Sequence, residues 1–178
     1  PLFAAALPNR FVAIVPAARA AALAEEITRR VRDFVRDKAD EAMDRVLEAI
    51  GEPKGRDGRP CFAQIDQQLD GFPEVHWAAV PWSLATADGE TLSDAPLKAA
   101  LGSHYPTDAK EPGFFGTPAY RVLTQPIACD GIAFYRPNPG VLYPALYELA
   151  DRTLAAAKSL RAFAPLRQEG HRAALGGE

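Results

Sequence analysis

Phe11-Val12-Ala13-Ile14-Val15 is the stretch that most limits what this chain can fold into. Five apolar residues in a row, three of them β-branched, predict a strand with both faces buried. Asn9 precedes the run as a turn residue and Pro16 closes it. Pro16 also stands at the first turn of a long helical pattern, where its missing N–H leaves no helical hydrogen bond unmade. A strand of this kind needs neighbours along its edges, and the rest of the chain offers few.

From Ala17 to Ile50 the pattern is helical. Leu23, Ile27, Val31 and Phe34 recur at helical spacing, and Met43, Val46 and Ile50 resume the face later. Charges of both signs lie between them. Glu25–Arg29 and Glu26–Arg30 are favourable pairs, whereas Asp33–Asp37 sets like charges one turn apart. Arg29, Arg30, Arg32 and Arg36 would make a phosphate-binding strip, but the interleaved acids favour a solvated face. The apolar rhythm weakens at 37–40, where a break is expected.

Gly51–Pro60 holds three glycines and two prolines and reads as a flexible linker or surface loop. Residues 61–69 predict a short helix with Phe62, Ile65 and Leu69 on one side. Gly71, Phe72 and Pro73 turn the chain into a second expected strand, 75–80. Trp77 would be its core side chain, His76 would lie on the other face, and Pro81 ends it. Residues 85–118 are the least regular, with one short helix expected at 96–101; their length predicts a lid, docking surface or insertion. Strands are expected at 119–124 and 131–135, a turn at Pro137-Asn138-Pro139-Gly140, and a closing helix over 142–163. Its apolar face comprises Leu142, Leu146, Leu149, Thr153, Leu154 and Leu160, and Lys158, Arg161 and Arg167 make its end basic. The last residues, 168–178, predict no regular structure.

Motifs that carry chemistry are sparse. A net charge of −3 gives no global positive field for nucleic acid. Cys61 and Cys129 lie far apart and read as buried thiols. His76, His104 and His171 lack metal-ligand spacing, and Asp66 with Asp70 would need further ligands to hold a cation. There is no phosphate loop, dinucleotide loop, zinc-hydrolase motif or nucleophile elbow. Pro1 would expose a low-pKa amine if it were a processed terminus, yet the residues after it lead into a turn. No apolar run reaches the length of a membrane span, and a cytoplasmic protein is expected. Read from its residues, the chain is an α+β module that packs against something, with no self-contained active site.

Several segments, taken in order, resemble the large signature subunit of type III-B CRISPR–Cas effector complexes. Leu7-Pro8-Asn9-Arg10-Phe11-Val12-Ala13-Ile14-Val15-Pro16 is similar to a segment that marks a strand in that family's first palm domain. Gln64, Phe72, Trp77 and Pro81 follow the charged helix, as do Tyr143, Tyr147, Lys158, Arg161 and Phe163 farther on. The family then carries a Gly-(basic)-Cys-x-x-Cys-Gly-Glu half of a zinc site. Gly170, Arg172, Ala173, Ala174, Leu175, Gly176, Gly177 and Glu178 occupy it here, with Ala173 and Gly176 at the two cysteine positions. Neither can ligate a metal.

The resemblance implies part of a palm (ferredoxin-like, cyclase-like) domain followed by a helical region. Residues 1–84 would form the partial palm, 85–118 an irregular insertion or surface loop, and 119–178 the helical region leading to the degenerate zinc position. It also implies a metal-dependent nucleotidyltransferase that makes cyclic oligoadenylates from ATP with Mg²⁺ or Mn²⁺; some members add an HD-domain nuclease. The metal-holding Gly-Gly-Asp-Asp turn and the HD motif are not in these residues. The expectation is therefore a structural, non-catalytic segment with no cofactor of its own. Its partners would be the remainder of the polypeptide, the other subunits of a CRISPR ribonucleoprotein and, indirectly, guide and target RNA. In a palm-like sheet, strands 11–15 and 75–80 would be antiparallel neighbours, and the Leu23, Ile27, Val31 and Phe34 face would cover them. Burying Phe11 and Ile14 would then be worth roughly 1.5–3 kcal/mol each. The competing expectation is an unrelated stand-alone α+β interaction domain, in which 119–124 and 131–135 complete a small sheet.

Overall fold

The computed structural model describes residues 10–160 apart from 90, 106–110 and 112. The chain is a mixed α+β protein that divides into two compact units, the first ending at Pro81 and the second beginning at Trp82.

In the first unit a 3₁₀ turn, Ala17–Arg19, opens α1, Ala20–Ala49. Thirty residues without Gly or Pro, carrying Glu26–Arg30 and Lys38–Glu41 ion pairs at 2.7 Å, sustain one unbroken helix. The break expected at 37–40 does not occur, because Asp37 and Asp40 interrupt only the apolar pattern and leave the backbone ladder intact. The helix stops when the Gly51 and Glu52 amides bond back to the Glu48 and Leu47 carbonyls, at 3.1 and 2.8 Å, the double closure of a Schellman end. After a loop, α2 runs Pro60–Leu69 with its proline in the first turn. Phe62 and Leu47, both buried, bring α2 onto α1, and Ile65 and Leu69 are half-buried as the spacing predicts.

The two strands expected in this unit do not form. Residues 10–16 and 74–81 run without regular structure. Phe11 and Ile14 are 71% and 72% exposed, and Trp77, expected in the core, is 45% exposed. A strand exists only through hydrogen bonds to a neighbour, and no sheet is present in this unit among the described residues.

The second unit begins with a 3₁₀ turn, Trp82–Leu84, and a short antiparallel hairpin, β1 Thr86–Asp88 with β2 Thr91–Ser93. The expected short helix is α3, Ala95–Gly102, which buries Leu97 and Leu101 completely. A 3₁₀ turn at Gly113–Gly116 inserts Phe115 into the same core. Residues 85–118 thus carry a hairpin, a helix and much of the unit's core.

Residues expected as a strand at 119–124 form α4, Pro118–Leu123, instead. Thr117 caps it by accepting from the Tyr120 amide at 3.2 Å, and Pro118 supplies a preset φ at the first position. That local signal overrides the strand preference of Tyr120 and Val122. The strand expected at 131–135 is present as β4, Ile132–Tyr135, paired with β3, Ile127–Cys129. Asp130-Gly131, both at positive φ, make the two-residue turn between them. Asn138 caps a final 3₁₀ turn, Pro139–Leu142, and α5 runs Tyr143–Ser159. Ala145, Leu146 and Leu149 form its buried face against α3 and the 3₁₀ turns, joined by Leu142 from the turn before it. Leu160, expected on that face, is exposed.

Candidate interaction surface

Pro16 separates two segments with opposite backbone demands, and the residues before it are the least satisfied in the first unit. Phe11, Val12, Ile14 and Val15 all stand exposed, beside Arg10. Leaving four large apolar side chains of one short segment in water is unusual even though scattered exposed apolar residues are ordinary.

α1 has two stripes, and only one is covered along its length. Thr28, Arg32, Val35, Ala39, Met43 and Leu47 follow the helical repeat, and all are buried or half-buried. Arg32 belongs to this covered stripe because its guanidinium donates to the Pro73 and Gly71 carbonyls at 3.3 and 3.0 Å. The stripe legible in the sequence is the other one. Leu23 and Ile27 on it are half-buried, Val31 is exposed, and Phe34 is 61% exposed with the Lys38 ammonium 5.7 Å from its ring centre.

The four arginines do not assemble into an anion site. Arg32 is committed to backbone carbonyls, Arg30 pairs with Glu26, and Arg36 lies 3.6 Å from Asp66. A shallow groove of about 390 Å³ does contain Arg29, Arg32 and Arg36 with Trp77, but Glu25, Asp33 and Asp70 line it too. The opposing charges cancel, leaving a neutral groove.

The 51–60 loop is tied down by Arg56. Its guanidinium donates to both Asp40 oxygens at 2.6 Å and to both Asp66 oxygens at 2.9 and 3.1 Å, and it lies 5.3 Å from the Phe62 ring centre. The hydrogen bond to Asp40, then that to Asp66, pushes the Arg56 pKa up. The Gly55 amide also bonds to Asp44 at 2.9 Å. Asp66 therefore serves this clasp, and Asp70 is separately exposed at the end of α2.

Two tyrosine–carboxylate clasps organise the second unit. The Tyr105 hydroxyl donates to Glu148, and Arg152 donates to the same carboxylate at 3.0 and 3.1 Å while stacking 4.1 Å over the Tyr105 ring. Burial alone would raise the Glu148 pKa, but the hydrogen bonds from Tyr105 and Arg152 and the guanidinium charge bring it below the ordinary value. Gly113 packs so closely here that a Cβ would collide with Glu148. In the other clasp the Tyr120 hydroxyl donates to Asp94, and Lys98 reaches Asp94 at 3.0 Å while facing the Phe115 and Tyr120 rings. Burial, then the bond to Asp94, pushes the Tyr120 hydroxyl well up. Both clasps are closed arrangements of donor, acceptor and cation.

The remaining expected groups do not converge. His76 lies 3.6 Å from Glu74, and His104 is exposed and lends its carbonyl to Arg152. Cys61 is half-buried, whereas Cys129, expected to be buried, is exposed on β3. Among the described residues no group of three or more His, Cys, Asp or Glu could hold a metal ion. No described helix is long and apolar enough to cross a membrane. Pro1, His171, Ala173 and Gly176 lie outside the described residues, as do Arg161, Phe163 and Arg167. Sequence reasoning missed Arg56, Glu148 and Asp94. The clasps through Glu148 and Asp94 join residues 43 and 26 positions apart, which no local periodicity reveals. No family model matches the chain, and no curated protein or solved structure matches it.

Proposed function

We propose that this chain is a structural, non-catalytic segment of a larger assembly, and that the assembly is a type III-B CRISPR effector complex. The single observation that carries the structural role is the exposed apolar run Phe11–Val15, a segment of strand composition without a strand partner. The uncovered Val31 and Phe34 on the following helix support it. A strand and the helix after it would be completed together by one sheet, whose edge pairs with 11–15 and whose face receives the Leu23–Phe34 stripe. The likeness of residues 7–16 to the palm-domain segment supports a palm domain as the source of that sheet.

In this reading ATP, Mg²⁺ or Mn²⁺ and the oligoadenylate chemistry belong to polypeptide outside these residues. The chain contributes shape and contacts within a guide-RNA-bearing particle in the cytoplasm. A second reading is a stand-alone α+β interaction domain. It is favoured by the second unit, whose core of Leu97, Leu101, Phe115, Leu142 and Leu146 needs no outside polypeptide.

Reconstitution separates the two. The polypeptide carrying these residues is mixed with purified type III-B backbone subunits and guide RNA, then sedimented. Co-migration with guide RNA, lost on replacing Phe11 and Ile14 together by Asp, is the expected result. A chain that stays out of the guide-bearing peak whatever the variant overturns the assignment.

A further inference from the structure

Three exposed aromatic rings stand together on the second unit, apart from both tyrosine–carboxylate clasps. Trp82, in the opening 3₁₀ turn, is 44% exposed, and Tyr143 and Tyr147 on α5 are 44% and 39% exposed. Tyr143 is the middle ring. The Trp82 and Tyr147 ring centres each lie 6.3 Å from its own, with planes tilted by 48° and 40°. Rings at that separation and tilt leave a wedge between them, so the three make two adjoining clefts that share the Tyr143 ring. The clefts are held from behind. Tyr143 and Tyr147 lie one turn apart on α5, whose other face is buried through Ala145, Leu146 and Leu149. Trp82 is fixed by the buried Ala85, whose amide donates to the Trp82 carbonyl at 2.9 Å.

The polar ends of these rings narrow the choice of ligand. Among the described residues no protein group bonds to the Trp82 indole N–H or to the Tyr143 and Tyr147 hydroxyls. All three can donate, and the indole can do nothing else. The surface therefore suits a partner with compact apolar groups for the clefts and carbonyls in excess of N–H groups. Proline supplies both, because each residue brings an apolar ring and a carbonyl without an N–H. A polyproline II helix leaves those carbonyls unbonded along its length. We propose that Trp82, Tyr143 and Tyr147 form a docking surface for a proline-rich segment of a partner protein, held in the polyproline II conformation.

Charge argues against a nucleic-acid strand stacking on the same rings, since such sites pair aromatic side chains with cations that track the phosphates. Of the cations on α5, Arg152 is committed to Glu148. Lys158 stands eleven residues past Tyr147, about 16 Å along the helix. Asp151, one turn past Tyr147, carries the opposite sign. The site rests on the second unit alone, whose core closes without outside polypeptide, so it holds whether the chain serves in a larger assembly or by itself.

Trp82 is its own reporter. The chain has two tryptophans, and Trp77→Phe leaves Trp82 as the sole indole of the otherwise intact protein. Titration with a proline decamer should change Trp82 emission saturably, whereas a glycine–serine peptide of the same length and a deoxythymidine decamer should not. Tyr143→Ala should weaken binding by about tenfold or more. Tyr147→Phe keeps the ring and removes the donor, and should weaken it by about threefold or more. Being isosteric, Tyr147→Phe decides the point should Tyr143→Ala lose helical circular dichroism. An emission that the proline decamer leaves unchanged overturns the proposal. So does equal or tighter binding of the glycine–serine peptide or the deoxythymidine decamer, or proline binding that the tyrosine variants leave unaltered.

Discussion

Phe62 and Phe34 sit on the same helical pair and should respond unequally to the same change. Phe62 is 2% exposed between α2 and α1, beneath the Arg56 guanidinium, whereas Phe34 is 61% exposed on the uncovered stripe of α1. A phenylalanine buries roughly 200 Å² when fully enclosed, so at about 25 cal/mol per Å² the Phe62 ring accounts for about 5 kcal/mol as an upper bound. Truncation to alanine at such a site costs about 3–5 kcal/mol. Phe34 keeps only about two fifths of its surface covered, worth about 2 kcal/mol by the same measure. Part of that cover comes from neighbours in its own helix, and alanine returns about 0.5 kcal/mol of helix propensity. Phe62→Ala should therefore exceed Phe34→Ala by at least about 1.5 kcal/mol. Urea unfolding followed by circular dichroism, with amide exchange resolved over α1 and α2, measures both. Since a unit this size is stable by only about 0.05–0.15 kcal/mol per residue, Phe62→Ala can abolish its cooperative transition. Equal losses for the two variants would refute the two-stripe reading, because Phe34 would then have to be covered.

Other perturbations test the remaining contacts. Arg56→Ala should speed amide exchange across 51–60, beginning with Gly55, while α1 keeps its protection; unchanged exchange would mean that Asp40 and Asp66 do not hold the loop. The Glu148 and Asp94 pKa values lie below their ordinary 4.5 and 3.8, so their contribution to the second unit is full above those values and is lost as pH falls through the lower folded ones. Glu148→Gln should flatten that acid limb, and an unchanged thermal stability profile below pH 4.5 would contradict the sign. Tyr120, raised above its ordinary 10, contributes stability that fades as pH climbs past 10, and Tyr120→Phe should remove this alkaline slope. Incubated alone with labelled ATP and Mg²⁺ or Mn²⁺, the chain should yield no oligoadenylate; a linear or cyclic product would demand an active site among residues given none here.

The helices were legible in the sequence, and the reason is local. α1, α2, α3 and α5 carry their own periodicity, and Pro60 and Pro96 mark starts that need no distant partner. Strands 11–15 and 75–80 have equally clear composition, but composition expresses only what a segment would do beside a sheet. The Thr117-Pro118 start of α4 was readable and was outweighed by the aromatic and β-branched residues after it. Asp130-Gly131 was likewise an available hairpin signal for the β3 partner of β4. The covered stripe of α1 was hidden for a different reason. Thr28 and Arg32 are polar, so the face that packs reads as the solvated one, and only the Arg32 bonds to Gly71 and Pro73 explain its burial. Of the candidate interaction surface, residues 11–15 and the Phe34 stripe were visible beforehand, whereas their exposure in this chain was not.

Amide hydrogen exchange at Phe11, Val12, Ala13, Ile14 and Val15 tests the central claim most directly. In the 178-residue chain these amides should exchange almost as fast as in an unstructured peptide, since nothing described here accepts their hydrogen bonds. If the chain belongs to the proposed guide-bearing particle, the same amides should there be protected to the level of core strands, together with new protection of the Val31 and Phe34 side of α1. Slow exchange across 11–15 in the chain alone, or equally fast exchange in the assembled particle, would contradict the account.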